Sequence, residues 1–396
     1  MKKLTPIFTG SELQFCSNPV PAINNHKAAG SSFSFSANQI AKYGQSQTHP
    51  SIVYIPAGWN GHKWWMATTP YPHPGGYDAE MPVFENVCIY YADDEGGNPP
   101  RTWTPIAGAS SGAYTMISNP ITRITDSVPY SAGNVTVNSD PALYFDQDGN
   151  AGAGVLWMIS RENSNNFAVY AQSSINGQSW TPRGDRDTTF LWKKGVSPIV
   201  GKPELLSPAL LKVGSEYWAY CLASTSSNYA LNDRENKGFC WGIFIMKGTI
   251  LAGSGDFTYY KKGSFSGRVD IEPWHWDVFK NPATGYYYAV INAKDKNTNS
   301  TAKWTYLAES TDGLNFKIFS RPLINDYTTY RPTACLQGTN LVMYWTTESG
   351  APTTAASYPL GSADIPVDGR SVVLSYKNFA TILATLKADE VKGWVD

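Results

Sequence analysis

Five stretches of this 396-residue chain repeat one plan, and that repetition restricts the fold more than any other feature. Each stretch runs as a strand, turns through a glycine-containing segment and returns as an aromatic-rich strand. They follow each other at intervals of roughly 50–90 residues, the spacing of repeated β-sheet units. The five copies are HPSIVYIPAGWNGHKWWMATTPY from His49, DPALYFDQDGNAGAGVLWMISRE from Asp140, SPALLKVGSEYWAYCLAS from Ser207, WHWDVFKNPATGYYYAVINA from Trp274 and RPTACLQGTNLVMYWTTES from Arg331.

Second hairpins lie between the copies. Three of them, NVCIYYADDEGGNPPRTWTPI, FAVYAQSSINGQSWTPR and WTYLAESTDGLNFKIFS, place a Ser/Asp/Asn/Gly turn before an aromatic residue. The turns SSINGQSW and ESTDGLNF resemble degenerate Asp-boxes, which join the outer strands of sialidase-like blades, and we interpret them as structural. Four strands in each of five units predict an all-β chain folded as a five-bladed β-propeller.

The two ends of the chain differ from the repeats. Residues 1–45 are polar and rich in Ser, Asn and Gly, and we interpret them as an irregular arm that lies against the propeller flank or a neighbouring subunit. Residues 46–396 are predicted to form the propeller, including a C-terminal strand and helix. Near its end we predict a strand over Arg370–Leu374 and a short helix in SYKNFATILATLKADEV, with Asn378 as its N-cap.

Composition excludes several classes of function. Charged residues make up only 16% of the chain and the net charge is −1, so neither nucleic acid nor membrane is expected as a partner. The N-terminus lacks the apolar segment of a secretion signal, and no run reaches the ~18 apolar residues of a membrane helix. The five scattered Cys show no metal-ligand spacing and are expected to be mostly buried free thiols.

Propeller geometry predicts where the functional site lies. Strands alternate in direction within a blade, so the start of strand one, the end of strand two and the start of strand three share one face. Polar, charged and aromatic residues at these positions suit a carbohydrate, because rings stack on sugars while charged groups bind hydroxyls. The candidates are His49, Tyr71, Glu85, Asn86, Asp140, Arg161, Lys202, Glu204, Ser207, Glu272, Trp274, His275, Trp304 and Arg331.

Simpler roles remain open for several of these residues. Asp140 precedes a proline and could cap the entry of a strand, and His275 could be a channel histidine held by hydrogen bonds. Glu85 could be a rim residue. Arg331 could pair internally with Asp140 or Glu272.

The repeats HPSIVYIPAGWNGHKWWMATTPYP, SDPAL, LLSPALLKVGSEYWAY, WHWDV and YRPTA, with the pair Glu85-Asn86, resemble the five-bladed propellers of glycoside hydrolase family 43 and its relatives. The resemblance covers roughly residues 48–350 and is closest to variants on tailed-phage receptor-binding and depolymerase proteins. In that family a blade-one Asp acts as base, a blade-two Asp tunes and orients, and a blade-three Glu acts as acid.

Only one of those three carboxylates is in register here. His49 stands where the base would be, Asp140 is kept, and Leu206-Ser207-Pro208 replaces the acidic motif, with Glu204 two residues early. Hydrolysis needs an acid and a base at a fixed separation. The resemblance therefore implies Asp140 with Glu85 or Glu204 as the catalytic candidates.

From the resemblance we expect a phage virion tail protein that engages a host surface polysaccharide and acts outside the cell. Its partners would be that glycan and other tail proteins, and homo-oligomerisation is left open. The alternatives are a lectin-like or structural tail component and a bacterial glycosidase unrelated to phage. We expect no cofactor and assign no metal site; the resemblance allows a calcium ion held by a channel histidine and waters, for which His275 with Asp140 would be the candidate cluster.

Overall fold

The computed structural model describes residues 5–16, 47–70, 87–106, 137–163, 168–182, 192–193, 204–224, 242–248, 258–268, 270–295, 304–325, 329–347 and 372–391. Strands dominate these ranges, as the repeats predict. Of the described helices, none is long and apolar enough to cross a membrane.

The described strands form five antiparallel units in chain order. A short strand, β1 (Gln14–Phe15), precedes them. Unit one contains β2 (Gln47–Trp59), β3 (His62–Pro70), β4 (Cys88–Ala92) and β5 (Thr104–Pro105). Unit two contains β6 (Val137–Asp146), β7 (Val155–Asn163), β8 (Ala168–Ser174), β9 (Thr181–Pro182) and β10 (Trp192–Lys193).

Units three and four are joined through their outer strands. Unit three contains β11 (Glu204–Val213), β12 (Glu216–Ser224), β13 (Gly242–Gly248) and β14 (Thr258–Ser266). Unit four contains β15 (Ile271–Lys280), β16 (Tyr287–Asp295), β17 (Trp304–Ser310) and β18 (Asn315–Ile318). Strands β14 and β18 pair in parallel at Ser264–Ser266, so the two units form one continuous sheet.

Unit five contains β19 (Thr329–Gln337), β20 (Asn340–Thr347) and β21 (Val372–Asn378), and β1 is its outermost strand. The two ends of the described chain therefore meet in one sheet. The predicted strand over Arg370–Leu374 is confirmed from Val372 onward and extends to Asn378. Of the predicted arm, residues 1–4 and 17–45 lie outside the described ranges.

The first strands of the units form a closed ring. Strand β2 contacts β6, β6 contacts β11, β11 contacts β15, β15 contacts β19, and β19 returns to β2. This cycle is a β-propeller, and it confirms the all-β prediction and the positions expected for the inner strands. Because every inner strand starts at the same face, the residues that open the repeats are brought to one mouth.

Aromatic side chains of the second strands fill the space between units. Trp64, Trp65, Trp157 and Trp345 are completely buried in the described structure, as is Trp276 of β15. At about 25 cal/mol per Å² of apolar surface, such rings are a main source of stability. Much of the aromatic content therefore belongs to the core and not to a sugar-binding surface.

A single longer helix, α1 (Phe379–Val391), follows β21 and lies on the face opposite the mouth within the described residues. Phe379 packs against Phe279 and Tyr288, at the far end of unit four. Asn378 Oδ1 accepts the Thr381 N–H at 3.0 Å, which confirms the predicted N-cap.

The two Asp-box-like turns are structural, as predicted. Asn176 Oδ1 accepts hydrogen bonds from the amides of Gln178 and Ser179, and Asp312 Oδ1 accepts them from those of Leu314 and Asn315, all at 2.8–2.9 Å.

The prediction of mostly buried free thiols is confirmed for the described cysteines. Cys16, Cys88 and Cys221 are free and buried, and Cys335 is free and half-buried. Cys240 lies outside the described residues.

Candidate functional site

Each inner strand bends at its opening through a β-bulge. In units one, two, three and five the bulge is an X-Pro pair, and the residue before the proline has a positive φ: 53° at His49, 53° at Asp140, 46° at Ser207 and 39° at Arg331. In unit four the register shift falls at Trp274 alone. Positive φ in non-glycine residues costs roughly 1–3 kcal/mol each and is concentrated at functional sites. These bulges turn the opening residues toward one another.

Asp140 is the centre of the group that forms there. His49 Nε2 and Arg331 Nη1 approach its Oδ1 at 3.2 and 2.8 Å, and Arg161 Nε lies 3.0 Å from its Oδ2. Three units thus contribute cationic or ionisable partners to one carboxylate that is 1% exposed. Arg331 Nη2 also donates to the carbonyls of Pro141 and Pro208, which ties units two, three and five together. The internal ion pair between Arg331 and Asp140 is therefore observed.

The charges of this cluster determine the protonation of its members. Burial alone would raise the pKa of Asp140, but His49, Arg161 and Arg331 outweigh it and hold that pKa well below the ordinary range. Burial lowers the pKa of His275, and His49, Arg331 and Arg161 add to this effect against the opposing influence of Asp140. Asp140 is therefore ionised and His275 neutral around pH 7.

A second pair, Ser207 and His275, lies beside the ion cluster. The Ser207 hydroxyl and His275 Nδ1 are 2.5 Å apart, and both residues are buried. The rings of His49 and Tyr330 contact His275 at centroid distances of 5.5 and 4.5 Å. His275 Nε2 is buried and has no hydrogen-bond partner among the described residues.

A chain of hydrogen bonds across four units supports the site one layer deeper. Asp277 Oδ2 accepts from Thr333 Oγ1 at 2.6 Å, Thr333 Oγ1 accepts the Ile52 amide at 3.2 Å, and Ser51 Oγ accepts the Leu143 amide at 2.9 Å. These bonds link units four, five, one and two, and hold the openings of the inner strands in place. Burial raises the pKa of Asp277.

The structure brings six predicted site residues together: His49, Asp140, Arg161, Ser207, His275 and Arg331. Trp274 is half-buried beside His275, with ring centroids 5.2 Å apart. Glu272 is buried within β15, and Trp304 is half-buried and packs against Tyr306. Tyr71, Glu85, Asn86 and Lys202 lie outside the described residues, as does the side chain of Glu204.

Two members of the cluster, Thr69 and Tyr330, were not predicted from the sequence. Thr69 Oγ1 lies 2.9 Å from His49 Nδ1, and the Tyr330 ring is tilted against His49 and edge-on to His275. Thr69 could have been found, because it lies opposite Thr48 in the strand register, and Thr48 directly precedes the first bulge. Tyr330 directly precedes the X-Pro pair of unit five and could have been found from the same pattern.

The donor set does not suit the calcium ion that the resemblance allows. No three His, Cys, Asp or Glu side chains among the described residues are arranged to hold a metal. Calcium prefers six to eight oxygen ligands, whereas both oxygens of Asp140 already face cationic or ionisable side chains. A divalent cation there would be repelled by Arg161 and Arg331.

Solved structures share this fold. No protein-family model and no curated protein matches the sequence. An N-acetylgalactosamine deacetylase from F. plautii, solved with blood group B trisaccharide, is similar with a TM-score of 0.57 and 15% identity over 97% of this chain and 100% of that chain. A GH43_1 enzyme from Xanthomonas citri, solved with xylose, reaches 0.49 and 10% over 84% and 86%. At such identities the likeness concerns the fold alone.

Proposed function

We propose that the mouth of this propeller binds a glycan. The observation that supports this most is the convergence of four X-Pro bulges on the mouth, each holding a polar or charged residue in a strained conformation. Such strain is maintained only where the surroundings enforce it, and it favours a site over a plain strand entry. Trp274 is half-buried beside this cluster and offers a ring for stacking on a sugar.

Hydrolysis is the second candidate. Asp140 stays ionised, as a carboxylate with an electrostatic role at a glycosidic bond would. It is nevertheless 1% exposed and bound by three side chains, so we assign it to orienting the site, with Glu85 and Glu204 as the acid and the base.

We further propose that the glycan is a host cell-surface polysaccharide and that the protein acts on it from a phage tail, in contact with other tail proteins. The sequence resemblance to phage propellers supports this setting. A bacterial glycosidase with the same mouth is the alternative. Infection by phage particles lacking this chain, compared with particles that carry it, tests the setting separately from the chemistry.

The binding proposal is tested at Trp274, because Asp140 is too deeply buried to replace without damaging the fold. Binding of purified capsular and exopolysaccharides would be measured with the wild type and Trp274→Ala, alongside assays for released reducing ends. Losing one stacked ring should weaken binding roughly tenfold to a hundredfold.

Tyr286→Ala is the matched control, since Tyr286 is an exposed aromatic residue of the same unit in the hairpin turn at the opposite face. It should bind like the wild type. Equal binding by Trp274→Ala and the wild type would show that no glycan site lies at this mouth. Binding without released reducing ends would exclude hydrolysis of the glycans tested and leave the binding proposal intact.

A further inference from the structure

We infer that residues 5–16 act as a strap that locks unit five into the ring, and that the strap stays docked without its covalent link to unit one. The inference concerns how the ring is closed and does not depend on glycan binding. Unit five supplies Arg331, which pairs with Asp140 of unit two. Displacement of unit five would therefore break the cluster at the mouth.

The first part of the strap is buried between units four and five. Phe8 is 1% exposed, and Ile7 and Leu13 are buried with it in one apolar core. The same core contains Leu307 of unit four and Trp345 of unit five. Because burial of apolar side chains is the main favourable term in such packing, the strap stabilises the contact between these two units.

The last part of the strap lies where unit five meets unit one. Strand β1 pairs with β21, and the Cys16 amide donates to the Val372 carbonyl at 3.0 Å. Cys16 is buried in a core that also contains Trp64 of unit one and Tyr344 of unit five. The strap thus spans unit five, from its contact with unit four to its contact with unit one.

Two cationic side chains hold the strap at its polar positions. Arg321 Nε donates to the Thr5 carbonyl at 2.6 Å, and Arg321 Nη1 lies 2.9 Å from Asp389 Oδ2 of α1. Lys377 Nζ of β21 lies 2.8 Å from Glu12 Oε1. Arg321 therefore joins the strap to the C-terminal helix, and Lys377 joins it to the edge strand of unit five.

The backbone of the strap is docked in the way an extended peptide is docked on a protein. The Ile7 and Phe8 amides donate to the Pro322 and Leu323 carbonyls at 3.2 and 2.9 Å. In that mode of recognition main-chain hydrogen bonds supply affinity, and buried side chains supply the fit. All of these contacts lie within residues 5–16 and their acceptors, so they do not require the chain that continues from β1 to β2.

Amide hydrogen exchange of the full chain tests the lock. Phe8→Ala removes the most deeply buried side chain of the strap and should speed exchange in β19–β21 about tenfold or more, because local opening controls exchange in ordered strands. Exchange in β6–β8 of unit two should stay near the wild-type rate. Phe316→Ala is the matched control, since Phe316 is a completely buried phenylalanine in the core of units three and four. It should speed exchange there more than in β19–β21.

A cut chain tests the docking and keeps the inference testable if Phe8→Ala does not fold. A protease site placed between Gly30 and Ser31 is cleaved after folding, so that residues 1–30 are held by contacts alone. We expect the fragment to elute with the rest of the wild-type chain in gel filtration, with slow exchange retained in β19–β21. Separation of the fragment from the wild-type chain overturns the inference. So does a Phe8→Ala protein whose exchange is faster equally in every unit, or in none.

Discussion

Asp140 at the mouth and Asp312 on the opposite face are both carboxylates with a lowered pKa, yet they are stabilised in different ways. Asp140 is buried and is surrounded by side chains from three units. Asp312 is exposed and is bound by amides two and three residues ahead of it in its own turn. One carboxylate depends on the assembled ring, whereas the other depends on a few neighbouring residues.

The two faces are therefore stabilised by different kinds of contact. The turn of Asp312 is complete within one hairpin and can form early, because its partners are local. The Asp140 cluster forms only when units one, two and five pack together, so its formation requires the ring of inner strands to close. A site made from such contacts depends on side chains from three units at once.

Asp140→Asn is therefore expected to have the largest effect. It removes the carboxylate that faces the buried Arg331 and the half-buried Arg161, and breaking a buried pair in this way costs about 3–5 kcal/mol. The free energy of unfolding in urea measures the loss. Asp148→Asn is the control, since Asp148 is 88% exposed and its contact with Lys212 is at the surface.

If Asp140→Asn unfolded within about 0.5 kcal/mol of Asp148→Asn, the central ion cluster would not be a structural element. Such a result would also restore Asp140 as a residue that can be replaced in tests of catalysis. The wild-type cluster itself should be insensitive to mild acid, because the pKa of Asp140 lies well below the ordinary range.

Sequence reasoning predicted the fold in most of its parts. Strand alternation, glycine turns and aromatic residues located the inner strands, and Asn378 marked the start of α1 correctly. These features are local, so their partners lie nearby in the chain. The pairing of β1 with β21 was not predicted, because it joins residues 14–15 to residues 373–374 and two residues carry too little pattern.

The site was predicted by position but not by interaction. Aligning the repeats placed His49, Asp140, Ser207, His275 and Arg331 at one mouth, since propeller geometry alone requires it. That Asp140 would be buried between Arg161 and Arg331 depends on bulges and side-chain directions that no spacing encodes. Pairing of Arg331 with Asp140 was one of two options that the residue types left open.

Replacing Asp312 should have a smaller, local effect that depends on pH. Asp312→Ala removes the acceptor of two backbone amides and should cost about 1–2 kcal/mol at pH 7. Backbone and side-chain hydrogen bonds outweigh burial and lower its pKa from 3.8 to about 2. A folded pKa below the unfolded value means that this contribution is present above pH 4 and is lost as the pH falls toward 2.

Asp312→Asn provides the contrast, because Asn176 makes the same turn in unit two with a neutral amide. It should stay within about 1 kcal/mol of the wild type at pH 7 and lose less stability between pH 4 and pH 2. Unfolding midpoints measured across that range separate the variants. An Asp312→Ala protein as stable as the wild type at pH 7 would show that the turn is not held by its side chain.

The smallest effect is expected at Asn378, which supports the far face through a neutral local contact. Asn378→Ala removes the cap of α1 and should cost about 1 kcal/mol, equally at pH 4 and pH 7, because no charge is lost. Asn378→Asp keeps an oxygen for the Thr381 amide and adds a negative charge at the helix N-terminus, where it should contribute about 0.3–1 kcal/mol. That gain should appear only as the pH rises above about 4, where the new carboxylate ionises. A loss as large as that of Asp140→Asn would contradict the view that the far face is held by independent local contacts, since a single exposed cap would then control the whole ring.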